Sequence, residues 1–140
     1  MASVLLIKGK TENPKKWYQD VMKCGAQWEY DDILESYHIG NVYITEHDDC
    51  VAFEDMSEEE FFAWETSSWL KAAGDKELIY GYYGDDNGCA EFVHIKSGKC
   101  IRDYREYDFE IDTNEGDVPR FSSLPDAAKY IDDILMRYAK

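Results

Sequence analysis

From residue 32 onward the chain is punctuated by dipeptides that close hairpins, and these set the period of the segments between them. Gly40-Asn41, Asp48-Asp49 and Ser97-Gly98 each separate short apolar runs, and residues of that chemistry join antiparallel strands. Segments 33–39, 42–46 and 50–54 therefore read as three strands, and 76–83, 89–96 and 99–109 as three more. The Ser97-Gly98 turn leaves two registers open, one setting Ile95 opposite Cys100 and the other Val93 opposite Ile101. A one-residue slip exchanges the faces of a strand.

Helical signals interrupt this pattern three times. Residues 2–8 read as a buried first strand, after which Asn13-Pro14 supplies an N-cap and a proline at the first helical position. The helix that follows groups Trp17, Val21 and Cys24, with Tyr18 and Met22 adjacent, and Gly25 is a natural stop. Ser57-Glu58-Glu59-Glu60 has the form of a capping box, opening a helix with Phe61, Phe62, Trp64 and Trp69 that Thr66-Ser67-Ser68 weakens. Residues 108–120 are polar and acidic and read as a loop. Beyond Ser123 an amphipathic helix is expected to bury Ala127, Ile131, Ile134, Leu135 and Tyr138. The expected order is β-α-βββ-α-βββ-α. It defines an α+β domain over residues 1–140, a mostly antiparallel sheet with helices packed on one face.

Composition enters where disorder must be excluded. With 32% charged residues the chain still carries 15% aromatics and 44% hydrophobic residues in 140, enough apolar surface for a core of its own. The N-terminus has neither a basic region nor an apolar run of signal-peptide length, and no stretch reaches the roughly 18 apolar residues of a membrane span. The cysteines (Cys24, Cys50, Cys89, Cys100) share no short spacing. Reduced thiols and a cytoplasmic location are the expectation.

The net charge of −15 is unevenly placed. Residues 1–23 carry +3 and residues 71–140 carry −5, whereas residues 24–70 hold thirteen acids and no Lys or Arg, for −13. Such a stretch cannot neutralise itself, and its field projects into solvent or onto a partner. That field opposes nucleic acid and anionic membranes, which call for a basic footprint, and favours a basic protein. Part of it, Glu58 to Glu60, suits a helix start.

Motifs for chemistry are few. Tyr83-Gly84-Asp85-Asp86 spells a polymerase metal motif, but the chain is too short for a polymerase and continues as an ordinary turn at Asn87-Gly88. Asp112 to Asp117 resembles a calcium loop, although the sixth and twelfth positions, Asp117 and Ser123, break the spacing. His38, His47 and His94 are scattered, and Asp48-Asp49 beside His47 and Cys50 reads as a turn. No nucleophile elbow, zinc-protease or phosphate-loop signature is present. No catalytic residue, metal or cofactor is expected; a small enzyme or metal-binding protein using the acidic turns is the alternative. What remains is acids interleaved with tyrosines. Tyrosine gives contact area at low entropic cost, and neighbouring carboxylates bond Lys and Arg. The candidate partner-binding residues are Asp31, Asp32, Glu35, Tyr43, Glu46, Asp48, Asp49, Tyr82, Tyr83, Asp85 and Asp86.

The run Ala90-Glu91-Phe92-Val93-His94-Ile95-Lys96-Ser97-Gly98-Lys99-Cys100-Ile101-Arg102-Asp103-Tyr104-Arg105-Glu106-Tyr107 resembles small bacterial immunity proteins encoded beside polymorphic or contact-dependent toxins. So do Asp112 to Gly116 and the terminal Ala128-Lys129-Tyr130-Ile131-Asp132 helix. The resemblance covers the C-terminal third. It implies a cytosolic inhibitor that binds a cognate toxin, often a basic nuclease, one to one. A further alternative is an interaction protein that mimics nucleic acid.

Overall fold

A computed structural model describes residues 3–84, 86–116, 121 and 124–138, with side chains of the last helix to residue 134. In chain order the elements are β1 (Ser3–Lys8), α1 (Pro14–Met22), β2 (Glu29–Asp31), β3 (Ser36–Ile39), β4 (Val42–Glu46) and β5 (Cys50–Asp55). There follow α2 (Thr66–Ala73), β6 (Glu77–Gly84), β7 (Cys89–Lys96), β8 (Lys99–Tyr107), β9 (Glu110–Gly116) and α3 (Leu124–Tyr138). The strands form one sheet in the order β2-β3-β4-β5-β1-β6-β7-β8-β9, and every neighbouring pair is antiparallel. The α+β class is as expected. β1 is the centre strand, with one four-stranded meander on each side.

The apolar run Val4 to Ile7 explains that central place. A strand buried on both faces reads as continuous hydrophobics rather than as alternation. Leu5 and Ile7 join Phe53, Tyr80, Val93 and Trp69 on one face. Val4 and Leu6 join Phe92, Tyr104, Ala127 and Ile131 on the other. The helices accordingly divide between the faces: α1 and α2 cover the first and α3 the second, which corrects the expectation that all pack on one side. α3 lies close over β6 because Gly81 has no Cβ; one placed there would meet Ile131 Cγ2 at 2.9 Å.

The structure differs locally from the expected elements, and after β5 the cause is identifiable. Ser57 does not open a helix. The buried carboxylate of Asp55 accepts from the Ser57 N–H (3.0 Å), the Ser57 hydroxyl (2.7 Å) and the Glu60 N–H (2.7 Å). It takes the donor that the capping box would have assigned to Ser57. Glu58 and Ala63 adopt φ of 64° and 61°, a left-handed backbone that stops helical propagation. The helix begins only at Thr66, the residue expected to weaken it. Residues 110–116, expected as a loop, form edge strand β9 instead, with Asp112 at a register shift between paired Ile111 and Thr113. β2 is a further edge strand. At Ser97-Gly98, both with positive φ, Ile95 pairs with Cys100; a bulge beyond it sets His94 opposite Arg102 and Val93 opposite Asp103.

The first helix behaves as expected at its start, where the Asn13 side chain accepts from the Lys16 N–H at 3.3 Å. It ends at Lys23, in left-handed conformation, two residues before Gly25. The Ser123 cap and the Leu135 and Tyr138 side chains lie outside the described residues.

One buried polar cluster fastens α2 to the sheet. Glu91, fully buried on β7, accepts from the Ala63 N–H (2.9 Å), the Tyr80 hydroxyl (2.9 Å), the Tyr107 hydroxyl (2.6 Å) and Arg105 Nη1 (3.3 Å). Arg105 also donates from Nε to Asp103 at 2.7 Å and from Nη1 to the Trp64 carbonyl at 2.8 Å, while Thr66 at the start of α2 donates to Asp103. Burial alone would lower the Arg105 pKa; the hydrogen bonds to Asp103 and Tyr107 and the charges of Asp103 and Glu91 together outweigh this and raise it. All four cysteines are free thiols. Among the described residues no helix is long and apolar enough to cross a membrane.

Candidate functional site

Antiparallel connectivity sorts the hairpin turns between the two ends of the sheet. β1 runs from Ser3 to Lys8, with Lys8 opposite Cys50 on β5 and Glu77 on β6. The β4–β5 turn at Asp48-Asp49 and the β2–β3 turn at 32–35 therefore share the Lys8 end, and the β6–β7 turn residues 86–88 occupy the opposite end. Of the sequence-derived residues, Asp31, Asp32, Glu35, Glu46, Asp48 and Asp49 are brought to one end of one meander. Tyr82, Tyr83 and Asp86 are not among them. Asp85 lies outside the described residues.

The two tyrosines of β6 are engaged within the fold. Tyr82 is buried on the α2 face and its hydroxyl accepts from Asn87 Nδ2 at 2.9 Å. Tyr83 is half-buried on the α3 face and donates to Asp132 at 3.1 Å. Tyr43 and Glu46 leave β4 on opposite faces, since Tyr43 pairs with Glu54 and Glu46 with buried Val51. The Tyr43 ring stacks on His38, with centroids 4.9 Å apart.

The densest feature is the tip of the β2–β3 hairpin. Asp31 Oδ1 accepts from the N–H groups of Ile33 (2.9 Å) and Leu34 (3.0 Å), and Oδ2 accepts from the Tyr43 hydroxyl at 3.3 Å. An aspartate that bonds the backbone two and three residues on folds the chain back into a turn. Glu35 completes it with φ of 52°. The Leu34 N–H, together with that of Ile33, holds the Asp31 carboxyl below the usual carboxylate range. Desolvation and the Asp31 charge push Tyr43 up.

That turn presents Ile33, 91% exposed, and Leu34, 54% exposed, at the tip. Tyr30 and Tyr37 pack edge to face behind them at 5.1 Å, both exposed. Lys15 of α1 lies 3.3 Å from the Tyr37 ring centroid. Asp32 and Glu35 flank the apolar pair and are exposed. The result is a preorganised apolar knob with a carboxylate rim. Single exposed hydrophobics are common, whereas four exposed ones within one short hairpin, beside carboxylates, are unusual for a surface with no partner.

Ile33 and Leu34 were expected inside a strand, and sequence reasoning missed them as site residues. The available signal was Asp31 itself, because an aspartate at the first position of a turn makes this bond. The neighbouring Asp48-Asp49 turn, exposed, adds two carboxylates at the same end of the sheet. Lys10 and Thr11 share with Asp48 a cavity of about 260 Å³. Among the described residues no group of three or more His, Cys, Asp or Glu is arranged to hold a metal ion.

Comparison of the chain with protein-family models, with curated proteins and with solved structures finds no match in any of the three.

Proposed function

We propose that this protein is an acidic, protein-binding inhibitor that engages a basic partner one to one through the β2–β3 tip and the adjacent β4–β5 turn. The observation that carries the reading is the exposed Ile33-Leu34 pair, held rigid by Asp31 inside a carboxylate rim. Its field comes from a stretch of 47 residues without Lys or Arg. Acids steer a basic surface into encounter, and desolvated aliphatic and aromatic groups then slow its departure. The resemblance to immunity proteins of polymorphic or contact-dependent toxin systems supports a basic toxin domain as the partner. Tyr82 and Tyr83, already engaged, fall outside this surface.

The test uses affinity capture from the native cell, followed by reconstitution of the purified pair. Native protein, Ile33→Ser/Leu34→Ser and Asp32→Lys/Glu35→Lys serve as baits. A basic protein retained by the native bait in a one-to-one complex, released by salt and lost by both variants, is the expected result. Equal capture by native and variant baits, with circular dichroism unchanged, overturns the assignment.

A further inference from the structure

On the face covered by α1 and α2, the two helices leave between them an open groove of about 510 Å³. Its apolar wall is Trp64 with Val21 and Ala72, and Lys23 and Lys71 stand on its border beside Ser68. This is a size typical of small-ligand sites.

Trp64 is a fixed platform. Its indole N–H donates to the Glu60 carbonyl at 3.0 Å, and its ring packs on buried Trp69 with centroids 4.5 Å apart and on Phe61 at 5.9 Å. A ring held in this way presents apolar surface without losing rotamer freedom when something binds. The charges bordering the groove are opposite in sign to the net charge of the chain. Lys23, the C-cap of α1, and Lys71, in the last turn of α2, are both exposed. The one acid on the wall, Asp20, is already paired with Lys16 at 2.8 Å. In a chain of net charge −15 this is an apolar surface bordered by two ammonium groups and a neutralised carboxylate.

We propose that the groove binds a small amphiphilic anion, with an aliphatic or aromatic body on Trp64, Val21 and Ala72 and a carboxylate-type head at Lys23 and Lys71. Charge complementarity selects that occupant. A cationic amphiphile would meet two like charges, and a neutral one would forgo both ion pairs. The groove is separate from the β2–β3 tip, and the inference does not depend on the proposed partner.

The experiment is calorimetric titration of the full-length protein with decanoate, decanol and decyltrimethylammonium, each below its aggregation threshold. Two-dimensional amide spectra locate any binding. Decanoate is expected to bind one to one, shifting Trp64, Ala72 and Val21, and to bind about tenfold more weakly to Lys23→Gln/Lys71→Gln, as expected for two exposed ion pairs. Ala72→Trp, which fills the groove from a half-buried position on its wall, is expected to abolish binding, with thermal unfolding and the amide spectrum checking that the fold is kept. Failure of decanoate to bind, equal binding of the cationic probe, or unchanged affinity in the double lysine variant overturns the proposal.

Discussion

Glu91 illustrates how a single side chain can decide whether an element docks. A carboxylate in the interior is tolerated only when charge and lone pairs are all matched. Here two tyrosine hydroxyls, one backbone N–H and one guanidinium meet that demand. Removing it would take one of the two carboxylates from Arg105, leaving Asp103 and the Trp64 carbonyl, and strand the Ala63 N–H, so Glu91→Ala is expected to cost about 3–5 kcal/mol in urea unfolding. None of this was legible beforehand. Glu91 and Ala63 are 28 positions apart, and a glutamate within an apolar strand carries no local mark of its distant partners. The sequence marks Asp31 as a partner-binding carboxylate, and the structure shows its oxygens shaping the turn. The site was legible as a charged region, and its apolar centre was not.

Elements were legible wherever local chemistry had no competitor. Asn13-Pro14 started a helix, and the turn pairs placed β4, β5, β7 and β8 within a residue or two. The segment after β5 is the instructive exception. Ser57 and Glu60 match a capping pattern, but Asp55, two residues before Ser57, accepts the Glu60 N–H at 2.7 Å. The two readings separate on mutation: Asp55→Ala is expected to lower stability by about 2–3 kcal/mol, since it strands two backbone donors, and Ser57→Ala by less than about 1 kcal/mol. Equal losses in chemical unfolding would restore the capping box. β9 escaped notice for another reason. Its pattern of Glu110, Asp112 and Glu115 around a single Ile111 resembles a loop, yet charge along an edge strand is what keeps two sheets from joining.

At the scale of the whole molecule, the two faces of the sheet account for the division of the helices, and the run Val4 to Ile7 already carried that information. The sheet also joins the chain's two halves electrostatically. On β6, Glu77 is bonded to His94 at 2.7 Å and lies 3.7 Å from Lys8 of β1. Burial alone would raise its pKa, but the His94 bond and Lys8 outweigh this and hold the carboxyl below the usual range. A carboxyl depressed in the folded state stabilises above its unfolded value, about 4.3, and that stability is lost as pH falls through the folded value. Glu77→Gln is therefore expected to flatten the fall in melting temperature on the acid side, below about pH 5, relative to native protein. Parallel acid curves for the two would contradict it.

The central position of β1 has a consequence for how the chain comes off the ribosome. Its first strand is made before either neighbour, because β5 begins at Cys50 and β6 only at Glu77. Until then β1 has a bare edge, and the side of Val4 and Leu6 waits longer still, for a helix at the far end of the chain. Neither meander can be excised as a module, since each removal exposes the same strand. Maturation is thus decided late, and a nascent chain stalled before Glu77 presents an uncovered apolar strand to its surroundings.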